Sequence, residues 1–129
     1  MKFTVVVDNN VPPGAKAAFR GEHGLAVLIE TGANKILFDT GQSDLVIYNL
    51  GLLGVHPREL DAIVLSHGHY DHTGGLPAVL AMAGKRIPVF SHSDIFTPRF
   101  AVAEKNCKYV GVPFAREHLV RLGADFRAI

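Results

Sequence analysis

The sequence predicts an α/β fold in which helices cover a mixed sheet. Three observations point there. Strand-like runs come first, and later ones alternate with helical segments. "DAIVLS" and "RIPVFS" are continuous apolar runs, the pattern of strands covered on both faces. The segments between and after them carry helix start and stop residues.

Each element follows in order. Lys2 to Asp8 alternates and is rich in β-branched residues, so it reads as a strand. "NNVPPGAKAAFRGEHG", over 9–24, is a long loop marked by Pro and Gly, and loops of that length are often functional. "LAVLIE" and "KILFD" flank "TGAN" and predict an antiparallel hairpin. After the break at "TGQSD", "LVIYNLGLL" is apolar at helical spacing, with Ser43 or Asp44 as its candidate cap. "HPREL" reads as a short turn or 3₁₀ piece, and "DAIVLS" as a strand. "GGLPAVLAMAG" reads as a helix ending near Gly84, with Pro77 tolerable in its first turn. "RIPVFS" is the next strand. "SDIFTPRFAVAEKNCKYVGV" reads as irregular with one short helix. "PFAREHLVRLG" starts on Pro and stops on Gly, as helices do, and "ADFRAI" is a closing strand. Strand-helix-strand units are expected to cross over right-handed.

A chain of 129 residues suits one domain. Hydrophobic residues make up 48% and charged residues 19%, so the chain has much to bury, in part against a partner. The net charge of +1 gives no field that would draw nucleic acid or an anionic membrane, and neither is expected as a partner. Cys107 is the single cysteine, which fits a reducing cytoplasm. The start is too short and too soon polar for a signal peptide, and no run approaches the roughly 18 apolar residues of a membrane span. The chain reads as soluble and cytoplasmic.

"LSHGHYDHTGG", residues 65–75, holds the chemistry. His67 and His69 are two apart, so in extended backbone they point the same way and can converge on one ion. Asp71 and His72 lie just beyond, where the chain turns before a helix, and can face a second ion. Imidazole and carboxylate suit zinc, iron or manganese. Two ions roughly 3.5–4 Å apart can share an activated water and clamp a reacting group. The bland alternative is a set of surface or satisfied core histidines. Four candidate ligands in six positions at the end of a buried strand are hard to explain that way.

"HGHYDH" resembles the H-x-H-x-D-H motif of the metallo-β-lactamase superfamily. The resemblance extends over about residues 22–82, through "LFDTG" and "DAIVLSHGHYDHTGGL". "EHGLAVLIETGANKILFDTG" is most similar to the branch that contains dihydropterin-linked ribofuranosylaminobenzene phosphate synthase-like proteins. The resemblance implies a first metal on His67 and His69 and a second on Asp71 and His72, with zinc, two ions, as the expected cofactor. It makes Asp71 the expected catalytic group, orienting the attacking water or handling its proton. It puts Asp39 of "FDTG" beneath the metal loop as a hydrogen-bonding support; the alternative is a plain strand-end turn residue. His92, at the end of "RIPVFS", and Glu22 and His23, in the "EHG" wording, are further candidates for lining the site. His56 is expected to be structural, His118 exposed, and Phe96 and Phe100 core. Cys107 has no base beside it, so no nucleophile role is expected.

The resemblance also implies what this chain lacks. The superfamily completes its site with a third histidine, a bridging aspartate and a final histidine from the later part of a longer chain. Its fold is a four-layer αββα sandwich of two similar halves. Residues 1–129 are therefore expected to form a single partial domain, the first half of that sandwich, with one apolar sheet face open. The expected partners are a second copy or a complementary C-terminal half, and a small-molecule substrate. Two functions compete: a two-metal hydrolase to which this chain gives half the ligands, and a non-catalytic metal-binding or assembly module. A di-iron redox role is a weaker third.

Overall fold

The computed structural model describes residues 1–15 and 18–129, so positions 16 and 17 of the predicted loop lie outside it. Its elements in chain order are β1 (Lys2–Val7), β2 (Ala26–Thr31), β3 (Asn34–Phe38), α1 (Leu45–Leu52), β4 (Ala62–Val64), α2 (Tyr70–Thr73), α3 (Leu76–Ala83), β5 (Ile87–Ser91), β6 (Phe100–Ala103), β7 (Asn106–Tyr109), α4 (Arg116–Arg121) and β8 (Ala124–Ala128). Two 3₁₀ turns, Pro57–Glu59 and Ser93–Phe96, punctuate them.

The main sheet has six strands in the order β1-β2-β3-β4-β5-β8. The first three form the expected antiparallel meander, with Thr31 paired to Asn34 across a two-residue turn. β4, β5 and β8 add in parallel, each after a helical connection. The sheet is therefore mixed.

Register separates the two faces. Leu28, Leu37, Ile63 and Val89 pair in one row and are fully buried. They share one core with Val46 and Leu50 of α1, Leu76, Val79 and Leu80 of α3, and Leu119 of α4. Each such side chain contributes about 1.5–3 kcal/mol by leaving water. The alternate rows are Phe3, Ile29, Ile36 and Ala62, and Val5, Val27, Phe38, Val64 and Phe90. Phe3 and Val5 are 63% and 60% exposed, and the rest are half-buried. One sheet face thus carries the helices, and the other is apolar with no covering layer among the described residues.

Two local readings are corrected. The segment read as irregular contains the β6–β7 hairpin, whose strand residues are exposed on both sides. Phe100 sits there at 57% exposure instead of in the core, while Phe96 does pack against the core. The helix expected across 74–84 is α3, with Pro77 in its first turn and Gly84 at its end, and the four-residue α2 precedes it. At α1 the cap position is Asp44, but the side chain that accepts a backbone N–H is Ser43, from Leu45 at 3.1 Å. His56 is structural: its ring accepts the Arg58 N–H while its own N–H reaches Glu59. No helix among the described residues is long and apolar enough to cross a membrane.

Candidate metal centre

The site grows from two neighbouring strand ends. β3 and β4 are parallel and Phe38 pairs with Val64, so Asp39 and Leu65 leave the sheet together at its carboxyl edge. Asp39 N–H donates to the Val64 carbonyl at 2.8 Å. Asp39 has φ 57°, a left-handed backbone that Asp tolerates better than most residues. Its side chain is completely buried.

Three groups converge on that buried carboxylate. Ser66 N–H donates to Oδ1 at 2.8 Å, Ser66 Oγ donates to Oδ2 at 2.6 Å, and His72 Nδ1 lies 2.7 Å from Oδ2. A carboxylate accepts here, so His72 carries its proton on Nδ1 and keeps the Nε2 lone pair for a ligand. Ser66 has one hydroxyl proton, and Asp39 takes it. The 2.8 Å contact between Ser66 Oγ and His67 Nδ1 then needs the proton on His67, which frees His67 Nε2 in the same way. Asp39 and Ser66 together set the tautomers of two of the three motif histidines.

The three rings form a cluster. His67 lies 4.5 Å from His69 and 4.2 Å from His72, centre to centre. Burial pushes the His67 pKa below its usual 6.5, and the neighbouring His72 and His69 push the same way; Asp39 and Asp71 oppose them. The result favours the neutral, metal-binding form of His67. Asp71 Oδ2 lies 3.6 Å from His72 Nε2 and 3.1 Å from His23 Nε2. The backbone of the motif is anchored at both ends of α2: the His69 carbonyl accepts from Thr73 Oγ1, and the His72 carbonyl accepts from Thr40 N–H and Oγ1. Gly68 is required by close approach. A Cβ there would overlap the Ile95 carbonyl and stand 2.7 Å from Arg99 Nη1.

The candidates therefore divide. His67, His69, Asp71 and His72 stand together, with Asp39 beneath them and His23 at the edge on Asp71. Glu22 and His92 do not join them. Glu22 accepts from the Gln42 and Ser43 N–H groups and the Ser43 hydroxyl, holding the loop after β3 in shape. His92 is exposed and caps the 3₁₀ turn by accepting the Asp94 N–H. His118 is exposed, as expected. Ser66 and Thr40 escaped the sequence reading. The only signal for Ser66 was its place directly before His67.

The donor chemistry fits a divalent metal: imidazoles with free Nε2 atoms beside a carboxylate. The set is incomplete. Four donors over two ions leave each short of four ligands, and among the described residues no three His, Cys, Asp or Glu side chains are arranged to hold a metal ion.

Comparison with known proteins identifies the family. The family model of the Metallo-beta-lactamase superfamily matches residues 20–106, and the chain belongs to that superfamily. Over 93 residues it is 42% identical to 7,8-dihydropterin-6-methyl-4-(beta-D-ribofuranosyl)-aminobenzene-5'-phosphate synthase of Methanocaldococcus jannaschii, covering 68% of this chain and 32% of that protein. An uncharacterised protein of the same archaeon is 35% identical over 125 residues, 97% of this chain and 46% of its own length. Among solved structures, Tm1679, a metal-dependent hydrolase of the beta-lactamase superfamily, superposes with a TM-score of 0.72 at 26% identity, covering 98% of this chain and 41% of that one. The chain thus spans a third to just under half the length of the curated relatives described here.

Proposed function

We propose that this chain supplies half the ligands of a two-metal hydrolase site. His67 and His69 would hold one ion, and Asp71 and His72 the other. Zinc is the metal we favour; iron and manganese suit the same donors. The observation that carries the reading is the buried Asp39 carboxylate, which fixes His72 directly and His67 through Ser66 with both Nε2 atoms free. A structural histidine has no need of that arrangement; a ligand does.

Bound divalent ions would supply Lewis acidity and make water acidic enough to attack near neutral pH. The chain's own residues do the rest. Asp39 holds the His72 ring in place, Ser66 holds His67, and Asp71 orients the attacking water and takes its proton. The substrate class is a small molecule with an ester, amide or phosphate-type bond. The remaining ligands come from outside these 129 residues, on a second copy or a complementary C-terminal half seated against the open apolar face. A face of that size rarely stays uncovered, which supports the partner.

The second reading is a metal-binding or assembly module without catalysis. What favours it is that no three donors among the described residues are already arranged for a metal. Metal per chain and hydrolysis of a phosphodiester reporter separate the two, measured on wild type, His67→Ala and Asp71→Ala. Stoichiometric metal with activity lost in both variants supports the hydrolase. An inactive wild type holding less than one metal per chain sinks it for this chain alone.

A further inference from the structure

The segment before β2 is fastened onto Asp71. Leu25 N–H donates to the Asp71 carbonyl at 3.3 Å. Gly24 permits that approach: its φ is 134°, which other residues rarely adopt, and a Cβ there would overlap the same carbonyl. His23 reaches the Asp71 side chain, with Nε2 3.1 Å from Oδ2. The other ring nitrogen of His23 faces Asn9, two residues beyond β1. Asn9 Nδ2 lies 3.4 Å from His23 Nδ1, and Asn9 Oδ1 accepts the Gly24 N–H at 3.2 Å.

Hydrogen-bond chemistry gives these contacts one direction. The Gly24 N–H can only donate, so the Asn9 atom facing it is the carbonyl oxygen. The other end of that amide is an NH₂, which can only donate, so His23 Nδ1 accepts. A neutral His23 then carries its proton on Nε2, the nitrogen beside the Asp71 carboxylate. His67 and His72 are set the opposite way, with the proton on Nδ1 and Nε2 free. His23 is thus turned to present an N–H to a ligand, while they are turned to be ligands. Asp71 Oδ2 also stands 3.6 Å from His72 Nε2, so its place relative to that atom decides whether the two can share an ion.

We infer that Asn9 is a positioning residue that acts through His23: it makes His23 present an N–H to Asp71, which keeps that carboxylate in place beside His72. This rests on the two-metal reading only for the ion that Asp71 and His72 would share; the direction of the contacts is set by the protein alone. Nothing in the sequence pointed to Asn9, which lies in the long loop 62 residues before Asp71.

The test reads the His23 ring by ¹⁵N NMR in chelator-treated protein at about pH 9, above the usual histidine range. The wild type is expected to show the proton on Nε2. Asn9→Asp replaces the donor by an acceptor of the same size and is expected to put a proton on Nδ1. Zinc affinity is read by competition against a chromophoric chelator. Asn9→Ala and His23→Ala are each expected to lose about tenfold or more, as when a ligand's hydrogen-bond partner is removed. His23→Gln, whose amide can still donate to Asp71, is expected to keep most of the affinity. Asn9 and His23 are both exposed, so the variants should keep the fold. A wild-type proton on Nδ1, an unprotonated Nδ1 in Asn9→Asp, full zinc affinity in Asn9→Ala or His23→Ala, or an equal loss in His23→Gln and His23→Ala would each overturn the inference. With zinc still on the wild type, the two-metal reading would survive any of them. A wild type with its proton on Nε2 that takes no zinc would refute the two-metal reading and support the order of contacts from Asn9 to Asp71.

Discussion

Asp39→Asn is the sharpest single perturbation of the site. Asparagine tolerates the left-handed backbone at φ 57° and keeps the size of the side chain, so only the hydrogen-bond chemistry changes. The wild-type carboxylate accepts from Ser66 N–H, Ser66 Oγ and His72 Nδ1. The amide oxygen can keep the first. Its NH₂ then faces one hydroxyl that can rotate and one ring N–H that cannot accept. Hydrogen bonds to a charged group are worth about 1.5–3 kcal/mol each, and a rotating Ser66 recovers part of the loss. The net cost is about 3 kcal/mol, roughly 10 °C in Tm for a chain of this size. The His72 ring loses its fixed tautomer as well, which lowers metal affinity by about 10- to 100-fold. Competition against a chromophoric chelator reads affinity, and thermal unfolding of the metal-free protein reads stability. Full metal affinity in Asp39→Asn would refute the reasoning, since Asp39 would then serve the fold alone.

Further predictions rest on other parts of the molecule. Gly68→Ala forces a Cβ into the Ile95 carbonyl and should cost about 1–3 kcal/mol by overpacking, seen as a lower urea midpoint with unchanged slope; a neutral result would mean the loop is looser than it looks. Because the His67 pKa is depressed, the unfolded chain binds more protons than the folded one below about pH 6.5. Metal-free protein should therefore lose stability as pH falls from 6.5 through the lower folded value, and His67→Ala should flatten that slope. Paired lysines at Val27 and Ile36 on the open sheet face should shift any associated species to monomer by light scattering while leaving the far-UV spectrum intact. Unchanged association would place the contact elsewhere.

Much of this was legible because it rests on short-range rules. The β2–β3 hairpin follows from two alternating runs and a tight turn, and the motif from four ligand-type residues in six positions. Asp39 was found by its place in "FDTG", but its grip on Ser66 and His72 is a contact across 27 and 33 residues that no local pattern encodes. The β6–β7 hairpin stayed hidden because its strands are four residues long and exposed on both sides, so nothing alternates, and its Glu104–Lys105 turn lacks the Gly or Asn signal. Glu22 was named for the "EHG" wording and His92 for its place at a strand end, and neither signal says which way a side chain turns. Glu22 instead closes a loop and His92 caps a turn, two backbone tasks that polar side chains perform throughout proteins.

Native mass spectrometry of the purified chain in excess zinc tests the central claim most directly, because it reads metal content and assembly together. If His67, His69, Asp71 and His72 are half of a two-metal site, zinc should appear on the wild type, concentrate in an associated species, and drop in His67→Ala. A wild type that stays metal-free, or a His67→Ala variant that carries the same zinc, would contradict it.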